Sequence, residues 1–129
     1  MRYRVDLSSD VPPSRQLCEQ MLDGVARGEL RPGDQLPSVR SLAAEALVNP
    51  NTVAKAIRDL EIAGVLVGRN GLGVFVSDGA VGIATERRRA ATLAMFGRAL
   101  HEALRAGHSP QSLAELVDRA TAVAPGDAR

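Results

Sequence analysis

The run Ser38-Val39-Arg40-Ser41-Leu42-Ala43-Ala44-Glu45-Ala46-Leu47-Val48-Asn49-Pro50-Asn51-Thr52-Val53-Ala54-Lys55-Ala56-Ile57-Arg58-Asp59-Leu60 decides the fold. Its first part carries Val39, Leu42, Ala43, Ala46 and Leu47 at i, i+3, i+4, i+7 and i+8, the spacing of one buried helical stripe. Ser38 stands where a side-chain oxygen caps free amides, although position N3 is Ser41 rather than the Glu or Gln of a full capping box. Only Val48 and Asn49 then separate it from a second periodic stretch. Asn49 suits an N-cap and Pro50 the first helical position. Val53, Ala56, Ile57 and Leu60 fall in one angular sector, Asn51, Lys55 and Arg58 lie opposite, flanked by Thr52, and Gly64 ends the helix. Two short amphipathic helices joined this tightly predict a helix-turn-helix.

On the N-terminal side, residues 1–12 read as an extended polar arm running into Pro12-Pro13, which cannot continue a helix. Leu17, Cys18, Met21, Leu22 and Val25 predict a helix over 14–27, with Gly28 as its C-terminal cap and Arg31-Pro32-Gly33-Asp34 as a turn. On the C-terminal side, strands Val65-Leu66-Val67 and Val74-Phe75-Val76 flank the polar tip Arg69-Asn70-Gly71. The Asn-Gly pair predicts a type I′ hairpin. Asp78-Gly79-Ala80-Val81-Gly82 reads as a hinge, followed by a long helix from about Thr85 to Ala106. Ser109-Pro110 starts a last helix carrying Leu113, Leu116, Val117 and Val123. The expected organisation is an arm over 1–12, a winged helix-turn-helix over 13–79, a helical dimerisation region over 80–124 and a disordered tail over 125–129. The fold class is mainly α with a small β-hairpin.

Composition narrows the function more than it names it. The 129 residues carry 16 basic and 15 acidic side chains, net +1, so any electrostatic role rests on the placement of a few charges. Two Phe, one Tyr and no Trp argue against the stacking platforms that grip single-stranded nucleic acid. A single cysteine, Cys18, excludes an internal disulfide framework. With no apolar run of membrane-spanning length and no apolar stretch at the start, the expected location is the cytoplasm, without membrane contact.

A helix of this size fits the major groove of duplex DNA. Asn51 suits paired hydrogen bonds to adenine, Thr52 a base edge or thymine methyl, and Lys55 guanine or phosphate. Arg40 is placed for phosphate or guanine and Arg58 for a backbone or base contact, and the helix starts at Ser38 and Asn49 offer free amides for phosphate oxygens. At the wing, Arg69 suits a narrow minor groove, while Asn70 and Gly71 allow a close backbone approach. Taken singly, each of these is an ordinary solvated side chain; their conjunction on one side of a helix-plus-wing unit is what points to DNA.

The segment Pro32-Gly33-Asp34-Gln35-Leu36-Pro37-Ser38-Val39-Arg40-Ser41-Leu42-Ala43, with Val48-Asn49-Pro50-Asn51-Thr52-Val53, Leu60 and Gly64, resembles the DNA-binding domain of the GntR family of bacterial transcription regulators. The likeness runs from about Pro13 to Ser77. The opening Val5-Asp6-Leu7-Ser8-Ser9-Asp10-Val11-Pro12, the Asn-Pro-Asn-Thr turn and the short two-helix tail resemble the YtrA subfamily. That resemblance implies a homodimeric repressor on a two-fold operator, controlling its own operon and neighbouring transporter genes. It also implies DNA contacts by Arg40, Asn49, Asn51, Thr52, Asn70 and Gly71. Ala54 stands where some relatives carry a base-reading arginine, and Ser14-Arg15 where an aromatic is usual.

The two C-terminal helices are too short to fold alone. Leu93, Phe96, Leu100, Leu104, Leu113, Leu116 and Val117 therefore form the expected dimer interface, matching two half-sites on DNA. An unidentified small-molecule effector, signalling through the hinge, is a further expectation, although the sequence shows no convergent polar pocket. Arg87-Arg88-Arg89 reads as a solvated charge run. His101 and His108 lack the further ligand a metal site needs, and Cys18 reads as an inert core thiol. No phosphate loop, nucleophile–base pair or zinc-protease motif occurs, so neither an enzyme nor a cofactor is expected. The competing reading is a winged-helix protein-interaction module without specific DNA binding.

Overall fold

A leucine, a methionine and a valine on one face set the first helix. Leu17, Met21 and Val25 are buried, with Cys18 and Leu22 half-buried beside them, along α1 (Pro13–Ala26). The helix begins at Pro13, one residue earlier than the periodicity suggests, because a proline ring is tolerated in the first helical turn. The computed structural model describes residues 1–122. Val123 and the tail expected over 125–129 lie outside the described residues.

The central helices follow the sequence closely, with one correction. α2 (Val39–Ala46) buries Leu42, Ala43 and Ala46, and α3 (Pro50–Ile62) buries Val53, Ala56, Ile57 and Leu60. Leu47, expected on the buried stripe, is instead 84% exposed. It takes a left-handed conformation with φ 58° and returns its N–H to the Ala43 carbonyl, ending α2 and swinging its side chain outward. The connection is therefore Leu47-Val48-Asn49. α3 packs against both α1 and α2, and Gly64, with φ 87°, turns the chain into the wing.

The wing differs in register from its expected form. β1 (Leu66–Arg69) pairs antiparallel with β2 (Gly73–Val76), Leu66 opposite Val76 and Arg69 opposite Gly73. The loop thus holds Asn70, Gly71 and Leu72, closed by a 3.0 Å bond from the Leu72 N–H to the Arg69 carbonyl. Positive φ falls on Gly71 and not on Asn70, which is the sense of a type II turn rather than type I′. The residues just after the expected turn Arg31–Asp34 add a further edge: Gln35 bridges Phe75, and Leu36 N–H donates to the Val74 carbonyl at 2.8 Å.

Two other expectations change. The arm is not a free polar strand, because Tyr3 is buried and Val5 half-buried against the core. Its backbone is tied down by Gln16 and Gln20 of α1 and by Glu45, whose carboxylate accepts from Tyr3 N–H at 2.6 Å. The expected hinge is largely helix: α4 (Ala80–Arg105) starts at Ala80, and Ala80 and Ala84 are fully buried in the same core. The first compact unit accordingly spans Met1–Ala90.

The second unit begins at Ala91 and comprises the rest of α4, a turn at Gly107 with φ 102°, and α5 (Pro110–Ala122). Ser109 caps α5 by accepting from Ser112 N–H at 3.1 Å. α5 buries no residue at all.

Burial pushes the Tyr3 hydroxyl up to about 12, helped by the Glu45 and Glu29 carboxylates. The folded protein thus holds the neutral phenol. Its contribution is complete below the ordinary value of 10.0 and is lost as pH rises toward 12. Melting temperature measured against pH should fall over that interval, and Tyr3→Phe should remove this component of the fall.

Candidate nucleic-acid interface

The polar face of α3 is set by its apolar face. Val53 and Ala56 have no exposed surface, and Ile57 and Leu60 are buried, so rotation of the helix about its axis is locked. Asn51, Lys55, Arg58 and Asp59 consequently face solvent, with Thr52 and Ala54 half-buried at the flanks. At the helix start Asn49 Oδ1 accepts from Asn51 N–H at 2.8 Å, and Pro50 occupies the first position. The 13-residue helix is about 20 Å long, and against expectation its first turn offers no free amide: Pro50 has no N–H, Asn51 N–H is taken by Asn49 Oδ1, and Thr52 N–H donates to the Asn49 carbonyl at 2.9 Å.

Ser38 repeats this arrangement on α2. Its hydroxyl accepts from Ser41 N–H at 3.1 Å and meets the Ser41 hydroxyl at 3.0 Å. Ser38 and Asn49 thus cap the starts of α2 and α3, with Arg40 exposed on the first turn of α2. Both N-termini lack acidic residues in their first turns, which leaves the positive ends of the helix dipoles uncompensated. An anion is the natural ligand for such ends.

The hairpin brings the remaining predicted residues together at the wing. Arg69 is the last residue of β1, not a loop residue, and its guanidinium lies 4.8 Å over the Phe75 ring. Asn70 and Gly71 are exposed in the loop, and no atom approaches within 4 Å of the place a Gly71 side chain would take. The ten residues expected to bind thus all lie in the first unit. All are exposed except Thr52.

Asp59 Oδ2 stands 3.1 Å from Lys55 Nζ, an i,i+4 ion pair legible from spacing alone. Phe75 and Gln35 brace the wing, which only the strand register reveals. Cys18, half-buried, donates its thiol to the Ala56 carbonyl at 3.4 Å; burial pushes its pKa up, which suits a core thiol and not a nucleophile. Arg88 and Arg89 pair with Asp23 and Glu86 at 3.4 and 3.8 Å. Among the described residues no cluster of His, Cys, Asp or Glu is able to hold a metal ion, and no helix is long and apolar enough to cross a membrane.

The second unit presents a different surface. Leu93, Phe96, Leu100, Leu104, Leu116 and Val117 are exposed and Leu113 is half-buried. All of these but Leu93 line an open cavity of about 480 Å³ in which every lining residue is apolar.

Comparison with known proteins places this geometry. The family model described as bacterial regulatory proteins, gntR family, matches residues 10–76. The HTH-type transcriptional repressor YtrA of Bacillus subtilis (strain 168) is 40% identical over 77 residues, covering 60% of this chain and 59% of that protein. A transcriptional regulator from Oenococcus oeni superposes with a TM-score of 0.74 at 29% identity, covering 89% of this chain and 95% of that one. AraR(DBD) in complex with operator ORX1 superposes with a TM-score of 0.54 at 26% identity, covering 59% and 96%. The chain spans 58–61% of the length of the first three curated relatives it matches.

Asn49→Ala removes the cap that orients α3 and should lower stability by about 1 kcal/mol, whereas Asn49→Ser should restore most of it. Urea unfolding of the three proteins, compared at constant m-value, measures both changes.

Proposed function

The chain belongs to the gntR family of bacterial regulatory proteins, and on that premise we propose that it is a sequence-specific DNA-binding transcriptional regulator acting as a homodimeric repressor. The observation that carries the reading is the solvent-facing stripe Asn51, Lys55 and Arg58 on a helix whose opposite face is wholly buried. A helix so held enters a major groove as a rigid rod, with its N-terminal residues nearest the base edges. AraR, which shares the fold of the first unit, has been seen with an operator.

Residues divide by what they offer. Asn51, Thr52 and Lys55 reach base edges; Arg40, Arg58 and the N-terminus of α2 hold phosphates; the wing, through Arg69, Asn70 and Gly71, meets the adjacent groove. The overall charge of +1 supplies no general attraction for DNA, so affinity comes from this local placement. Repression follows where the operator overlaps a promoter, and the gene's own upstream region with neighbouring transporter genes is the proposed target.

Dimerisation rests on the second unit. Two helices that leave Phe96, Leu100, Leu104, Leu116 and Val117 exposed form no core of their own. A second copy of the chain covers that face, and two-fold symmetry then matches a two-fold operator. Contacts by Arg40, Lys55, Arg58 and Arg69 in both protomers predict a salt slope for operator binding of roughly −7 as an upper bound.

A gel shift with DNA from upstream of the chain's own gene should show discrete, salt-sensitive binding. Asn51→Ala or Lys55→Ala should relax base preference at one position of each half-site, at about 1–3 kcal/mol per lost paired contact. Unchanged discrimination in both variants counts against this role for α3. Analytical ultracentrifugation should give a dimer, and Phe96→Glu with Leu100→Glu should give monomers that bind operator far more weakly. A wild-type monomer at concentrations that saturate the operator would leave the apolar face to some other occupant.

A further inference from the structure

The wing is more than a two-stranded hairpin, which in isolation is marginal in water. The segment before α2 pairs with the free edge of β2: Gly33 N–H donates to the Val76 carbonyl, Val76 N–H to the Asp34 carbonyl and Leu36 N–H to the Val74 carbonyl, each at 2.8 Å. From this edge the Gln35 side chain runs to the loop, where its Nε2 donates to the Leu72 carbonyl at 2.6 Å. Gly73, at φ 121°, leaves the amide that path, since a side chain there would begin 2.6 Å from Gln35 Nε2. The loop Asn70–Leu72 is thus tied to the body of the unit by a side chain outside the hairpin.

Register places a second brace. Val67 pairs with Phe75 and Arg69 with Gly73, so Arg69 and Phe75 are diagonal neighbours on one face of the hairpin. The guanidinium sits 4.8 Å over the ring, within cation–π range. Arg69 makes no ion pair among the described residues. Stacking engages only the flat face of the guanidinium. Its N–H donors, which lie in the plane, stay available to acceptors, whereas a carboxylate partner would have occupied them.

We propose that Phe75 and Gln35 are positioning residues of the wing: the ring holds the Arg69 guanidinium, and the amide holds the loop beside it, in one pose for a DNA groove. This rests on the DNA-binding reading above. In the minor groove A·T pairs present acceptors and no donor, whereas G·C pairs add the guanine amino donor, and a narrow groove concentrates negative potential, so a single pre-set arginine favours A·T-rich sequence under the wing. An arginine that is already ordered also loses less freedom on binding than one swinging in water.

The test is a double-mutant cycle on the full chain, with a duplex recovered by the wild-type protein from random-sequence DNA as the probe. Phe75→Leu should weaken binding by about 3- to 10-fold when Arg69 is present and by less than about 2-fold in an Arg69→Ala background. Arg69→Ala should flatten the salt slope by about one per protomer, whereas Phe75→Leu, which keeps the charge, should leave it nearly unchanged. Phe75→Tyr should restore wild-type binding. Should circular dichroism show Phe75→Leu unfolded, the same cycle with Gln35→Ala decides. Equal weakening in both backgrounds, or none in either, overturns the inference while the wild type still selects DNA. Failure of the wild-type chain to enrich any duplex overturns the functional reading and this inference with it.

Discussion

Everything in the first unit depends on how α3 is gripped. Its four inward residues are aliphatic, none is more than 5% exposed, and they meet α1 on one side and α2 on the other. Close packing of this kind tolerates neither rotation nor slippage by a residue, because interdigitated side chains give way only at the cost of voids. A fixed inward face means a fixed outward one. The exposed polar stripe is therefore a rigid surface, and rigidity of presentation is what sequence discrimination by a helix requires.

Around that helix the unit invests its backbone polar groups in shaping the contact surface. Asn49 occupies the last free amide of the first turn of α3, whereas Ser38 takes the Ser41 amide of α2 and leaves the earlier ones of that helix open to an anion. Leu47 accepts a left-handed backbone, uncommon for a branched residue, and in doing so makes the turn between the two helices short. The wing reaches its shape by the same economy: a third edge contributed from before α2, and a glycine where a side-chain amide must pass.

The second unit obeys the opposite logic. Its helices are amphipathic, yet among the described residues none of its larger apolar side chains is fully buried. Such a face is unfavourable in water at about 25 cal/mol per Å² of exposed apolar surface. Its cavity is lined by apolar residues alone, with no polar side chain that would select a ligand by hydrogen bonding. The physics of the two units is thus complementary, one presenting polar groups on a rigid frame and the other an apolar surface in need of a partner.

The helical part of the fold was legible because helices are local. Spacing of Val53, Ala56, Ile57 and Leu60, with Asn49-Pro50 ahead of them, specifies a helix, its start and its buried side without reference to the rest of the chain. The exposed residues Asn51, Lys55 and Arg58 followed from the same periodicity. Tertiary structure alone decided the rest. Ala80 reads as part of a hinge and Ala84 lies just before the expected helix start at Thr85, but the core has room for two small side chains there, and the helix runs back to Ala80. Tyr3 sat in an otherwise polar arm, and only the assembled helices offer its ring a place. The contacts that Gln35 and Phe75 make with the wing loop and Arg69 have no sequence signal, because pairing between distant segments leaves no periodic trace. A period records what a residue does with its neighbours along the chain, whereas register and cavity shape are settled only when distant segments meet.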